Sequence, residues 1–191
     1  MKAPTGPITL TQPLYDRLQQ PIAAAAGSVL NFFQVPFGNP LIAGVNKTFR
    51  DTNLVQAGRL EEGNSHHITG VSLHYADIAQ GGARPLALDI RAVHAGCFRL
   101  VIGQVEYLKV PVSMIPCGGA DLAGFSNIAP AATEWQLGHG IAAAGNVFGL
   151  ELPLDLDPNE SLLCQITDIG IVAAPIDVYI VLWGQLTRPV R

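Results

Sequence analysis

The chain has 191 residues, of which 49% are apolar and only 14% charged, with a formal net charge of -4. The length suits a single domain, at a prior of about 150 residues each, and the high apolar share with so little charge excludes a disordered chain. Eleven basic residues against fifteen acidic ones form no basic patch, so direct nucleic-acid binding by counterion release is not expected.

Residues 1–26 read as an N-terminal arm punctuated by Pro4, Pro7, Pro13 and Pro21. Thr11 can cap a short helix there, with Leu14 and Leu18 on one face at i, i+4 spacing and Pro21 ending it. Such an arm docks on the body or on a neighbour, and Leu14 and Leu18 are its candidate contact residues. Residues 27–191 read as one domain. Its first strand, 28–35, carries Phe32 and Phe33 and stops at Pro36, Gly38 and Pro40. After a long glycine-punctuated connection comes a strand over 67–75. There Val71, Leu73 and Tyr75 alternate with Gly70, Ser72 and His74.

Pro85 then opens a helix whose apolar stripe is Leu86, Ile90 and Val93. His94 lies in its last turn, and Gly96 is placed for the left-handed residue that closes it. A strand over 97–102 follows, Gly103 breaks it, and 104–114 reads as the next strand. Residues 116–146 are a Gly- and Ala-rich connection with one short strand near Trp135. Long loops of this kind concentrate function or contacts, which makes Phe125 and Trp135 candidate interaction residues.

From 148 to 156, Phe148, Leu150, Leu152, Leu154 and Leu156 alternate with Gly149, Glu151, Pro153 and Asp155. Pro153 has no N–H to give, so this strand belongs at a sheet edge or carries a bulge. Asp157-Pro158-Asn159 is a turn. Residues 161–167 form a strand, and 176–186 form the last. That last strand is apolar on both faces, Ile176, Val178, Ile180 and Leu182 against Tyr179, Val181 and Trp183, so it is expected to be central and sandwiched, covered on both faces. Seven or eight antiparallel strands, with one or two short helices, point to an all-β fold. The architecture expected is a single jelly roll, a two-sheet sandwich with an N-terminal arm.

Chemistry-bearing residues are sparse. Cys97, Cys117 and Cys164 lack zinc-site spacing and read as reduced thiols, which suits synthesis inside a cell. The start MKAPTGPITLTQP has no apolar signal core, and no apolar run reaches the ~20 residues of a membrane span. His66 and His67 are adjacent and so point to opposite faces. His66 and His74 share a face by parity but lie about 27 Å apart on a straight strand. Asp155, Asp157 and Asn159 have calcium-loop spacing without its later Gly and Glu. Cys117 with His139 lacks an orienting third group, and nothing fixes a separation for Glu61 with Glu62 or Glu134 with Glu151. No metal, cofactor or catalytic function is expected.

Three segments together carry a resemblance. They are TNLVQAGRLEEGNSHHITGVSLHY, CFRLVIGQVEYLKVPVSMIPCGG, and LELPLDLDPNESLLCQI followed by IDVYIVLWGQLTRPVR. Their order of strands and turns, over residues 30–191, resembles the small single-jelly-roll capsid proteins of tailless, internally membraned bacteriophages. The resemblance implies a virion shell subunit without catalysis. Its partners would be copies of itself and other capsid proteins, with an internal membrane or membrane protein on its inner side. A receptor- or carbohydrate-binding sandwich using Trp135, or a cupin-like metalloenzyme, are the alternatives.

Overall fold

Period-two alternation builds more than half of the described part of the chain. A computed structural model describes residues 6–21, 26–42, 45–76, 87–116, 147–173 and 175–189. The strands are β1 (Ile8–Thr11), β2 (Leu14–Gln20), β3 (Ser28–Phe32), β4 (Pro40–Ile42), β5 (Val45–Asn46), β6 (Ser65–Ala76), β7 (Cys97–Ile102), β8 (Val105–Pro111), β9 (Phe148–Leu156), β10 (Leu162–Ile169) and β11 (Ile176–Arg188). One helix, α1 (Ala87–His94), and a 3-10 turn over Val112–Met114 complete the described elements.

One sheet has the order β1-β11-β6-β9, with β2 pairing beside β1 on the same edge of β11; the other has the order β3-β10-β7-β8. All pairings among the described strands are antiparallel. With β1 and β2 counted as one interrupted strand and the β4–β5 hairpin set aside, the chain crosses between the two sheets at every connection except the β7–β8 hairpin. This is a single jelly roll. Side chains from the two inner faces fill the space between the sheets, among them Ile68, Leu73 and Ile180 from one and Phe32, Phe98 and Ile166 from the other. The β4–β5 hairpin lies apart from both sheets.

Most expected elements form where the alternation placed them. β11 lies inside its sheet, between β6 and the β1/β2 edge, but it is not covered on both faces: its inner row is buried, whereas Tyr179, Val181 and Trp183 on the outer face are only half-buried. β9 is an edge strand, and its register with β6 shifts in the stretch containing Pro153. The segment expected to be helical differs: Leu14–Gln20 is strand, not helix. A four-residue spacing is even, so Leu14 and Leu18 satisfy a two-residue period as well as a helical one, and pairing with β11 decides between them. The N-terminal segment therefore docks on the body of its own chain, by sheet hydrogen bonds.

Gly96 is also needed for a different reason from the one expected. Its φ is not in the left-handed region. A Cβ there would lie 2.6 Å from the Thr167 carbonyl oxygen, so glycine lets the end of α1 approach β10. The parity of β6 changes along its length. Val71, Leu73 and Tyr75 face the core, but so do Ile68 and His66. The pairing skips Thr69, with Trp183 opposite Gly70 and Gly184 opposite Ile68. This bulge puts His66 and His74 on opposite faces, contrary to the straight-strand expectation.

The bulge needs close backbone approach. A Cβ on Gly184 would stand 1.9 Å from the His67 carbonyl oxygen, whereas one on Gly149, in the neighbouring β9, meets nothing within 4 Å. Gly184→Ala is expected to destabilise by about 3 kcal/mol or more, as overpacking at an unyielding backbone does. Gly149→Ala is expected to stay within about 0.5 kcal/mol of the parent, as open surface substitutions do. Urea unfolding of the two variants measures the contrast, and equal losses would show that the bulge relaxes.

Candidate interaction surface

A polar lock sits where β2 passes β11. Asp16 and Arg17 are adjacent, so their side chains leave opposite faces of the strand. Arg17, on the outer face, donates from Nη1 to Asp51 at 2.7 Å and from Nε to Asp177 at 3.1 Å. Asp51 also accepts from the Thr48 backbone N–H and hydroxyl, each at 2.8 Å. Burial alone would raise the Asp51 carboxyl, but the Thr48 donors and the Arg17 charge outweigh it and hold the group below the usual range. Residues 51–53 run alongside β2, with Arg17 N–H donating to the Asp51 carbonyl at 2.8 Å and Tyr15 N–H to Asn53 Oδ1 at 3.1 Å. The Tyr15 hydroxyl donates to the Phe49 carbonyl. This segment covers the free edge of β2, which would otherwise offer unpaired backbone groups.

On the inner face Asp16 meets Lys47 Nζ at 2.5 Å, and both side chains are 0% exposed. Phe33 N–H donates to the other Asp16 oxygen at 2.6 Å. Sequence reading missed this pair. Its members are 31 positions apart, and Lys47 stands in a polar stretch that carries no period.

Leu14 is buried in the core and Leu18 packs against it, so these two contact candidates serve the inside of the sandwich. Trp135 and Phe125 lie outside the described residues, as do Cys117, His139 and Glu134. His66 and His67 do point to opposite sides. His67 Nδ1 is 2.6 Å from Asp155 on the surface, while His66 is buried and its Nε2–H donates to the Gln12 carbonyl at 2.8 Å. Asp157 sits in the β9–β10 turn, its N–H donating to Glu160 Oε2 at 3.1 Å. Among the described residues no three His, Cys, Asp or Glu side chains gather as metal ligands. An open polar pocket of about 510 Å3 is lined by residues of both charge signs, Glu61, Glu62 and Arg188 among them.

What the surface offers is apolar contact at its margins. Gln20 bonds Ser28 across the sheets at 2.7 Å, which sets β2 and β3 on one flank of the slab and leaves β8 and β9 on the other. Leu152 on β9 is 76% exposed, and Val105 and Tyr107 of β8 are also open. At the opposite flank Phe37 and Phe49 stack at 4.1 Å between ring centroids, with Phe49 61% exposed. Ile8 and Leu10 of β1 are exposed as well. The outer face of the β3-β10-β7-β8 sheet carries instead a polar row that crosses all four strands. Gln165 donates to Asn31 at 2.6 Å, and Arg99 donates to Gln165 at 3.3 Å and to Glu106 at 2.6 Å. Apolar flanks beside a polar face suit side-by-side packing of slabs. Comparison with family models, curated proteins and solved structures gives no match.

Two expected outcomes test this electrostatic reading. Arg17→Ala leaves Asp51 and Asp177 without their shared cation and is expected to cost about 3 kcal/mol in chemical unfolding; a loss under about 0.5 kcal/mol would show that the lock is ornamental. His66 is held below its usual pKa by burial, against the pull of the Gln12 carbonyl and with His67 adding to the lowering. Its Nδ1 has no hydrogen-bond partner among the described residues. The unfolded chain therefore takes up the proton first, and stability falls as pH drops below about 6.5. The stability difference between parent and His66→Gln is expected to shrink from pH 7.5 to about pH 5.5; a constant difference would contradict this assignment.

Proposed function

We propose that this chain is a shell subunit of a virus capsid, of the kind found in tailless, internally membraned bacteriophages. The single observation that carries the reading is the jelly-roll strand order combined with apolar side chains exposed along both flanks of the slab. Self-association through those flanks would bury Leu152 and the Phe37–Phe49 stack. The low charge content supports the same reading, because interface cores are depleted in charge. In this reading copies of the chain and other capsid proteins are its partners, heterologous contacts close into rings, and the assembled protein resides in the virion. An internal membrane or membrane protein would meet the inner side. No described helix is long and apolar enough to cross a membrane.

Assembly is the test. Light scattering of the purified chain is expected to give a mass several times the 20.2 kDa of one copy. Leu152→Asp, which charges the most exposed of these flank residues, is expected to shift the population toward single copies without altering the circular-dichroism spectrum. A parent protein that stays at the mass of one copy at high concentration contradicts the proposal.

A further inference from the structure

The Asp16–Lys47 contact is an unusual way to bury two ionisable groups. Both side chains are fully enclosed, and the Lys47 nitrogen lies 2.5 Å from Asp16 Oδ1. Among the described residues Asp16 is the one hydrogen-bond partner of Lys47 Nζ. An ammonium has three N–H groups to satisfy, so as an ion it is poorly solvated here. Lys47 is pinned on both sides by its backbone, with its N–H donating to the Asn39 carbonyl at 2.8 Å and its carbonyl accepting from Gly38 N–H at 2.9 Å. The carboxyl has a second partner of special cost. Phe33 takes a φ of +67°, a left-handed conformation that a bulky L-residue adopts only under constraint. In that conformation its N–H aims at Asp16 Oδ2 from 2.6 Å.

We propose that Lys47 and Asp16 condense into an intramolecular amide that staples β2 to the segment following β5. A nitrogen held against a carboxyl, both of them fully buried, with a backbone donor already fixed on the second oxygen, meets the proximity and charge-stabilising conditions of amide formation. The proton shared between the two groups passes to the carboxylate, giving a free amine and a carboxylic acid. The amine lone pair attacks Cγ and a C–N bond forms. One nitrogen proton then moves to the Oδ1 hydroxyl, and the C–Oδ1 bond breaks to release one water. Oδ2 remains as the amide carbonyl, and Phe33 N–H stabilises the charge that develops on it. No oxidant, metal or cofactor enters the balance.

The electrostatics run the same way. Burial pushes the Asp16 carboxyl up, against the Lys47 charge and the Phe33 and Thr52 donors, and burial pushes the Lys47 ammonium down against the Asp16 charge. Both shifts favour the uncharged acid and amine. The link would remove two buried charges and close a 31-position span of chain. The edge strand β2 would then be unable to peel from the loop segment that covers it. This inference stands apart from the capsid reading, since it concerns one chain.

Mass spectrometry of the denatured, otherwise unaltered chain decides it. A bonded protein weighs one water less than its sequence, and trypsin leaves Lys47 uncut, with the Asp16 peptide joined to the Lys47 peptide. Lys47→Arg is expected to restore the sequence mass and separate the peptides. A parent chain at full sequence mass with two free peptides overturns the proposal. So does a one-water loss mapped to any other position. The measurement on the parent chain needs no variant to fold.

Discussion

Strand β11 is the member on which both halves of its sheet depend. It pairs with β6 from Asp177 to Thr187 on one side, and with β2 and then β1 on the other. Its inward residues Ile176, Val178, Ile180 and Leu182 are fully buried. Removing it would strip partners from three strands and open the core of the sandwich. Burial of that row supplies the non-directional attraction, while the ladder fixes register, since a slip of one residue would turn Val178 and Ile180 outward and Tyr179 inward.

The polar groups refine what the core begins. β2 would be an exposed edge without the segment over residues 51–53, and that segment is held by Arg17, Asp51, Asn53 and Thr48 rather than by apolar contact. A charge cluster of this kind adds little attraction overall, because desolvation offsets most of it, but it is intolerant of losing a member. It therefore defines where one loop must lie. The Asp16–Lys47 pair does the same on the inner face, and the strained Phe33 backbone shows how firmly the surroundings hold that carboxyl.

In the capsid reading, function follows from what the fold leaves uncovered. A sandwich closes its core but leaves its flanks as edges. In this chain the β2 flank is covered by its own loop, whereas β1, β8 and β9 keep open residues, Leu10, Tyr107 and Leu152 among them. In that reading the open margins, rather than the polar row across the β3-β10-β7-β8 face, meet neighbouring copies.

Local alternation determined the strands of this protein and, through them, its class. Val71-Ser72-Leu73, Phe98-Arg99-Leu100 and Val178-Tyr179-Ile180 each declare an inner and an outer face without reference to anything distant, and Pro153 declares an edge because it lacks a donor. Tertiary structure alone decided three matters. It made strand of Leu14–Gln20, whose spacing fits two periods. It inserted Thr69 as an extra residue and so reversed the face of His66. It brought Asp16 to Lys47 and Arg17 to Asp51 and Asp177. The reason is common to all three: periodicity reports how a side chain relates to its near neighbours, whereas bulges, edge pairing and buried ion pairs arise between segments that meet only after the sheets have packed.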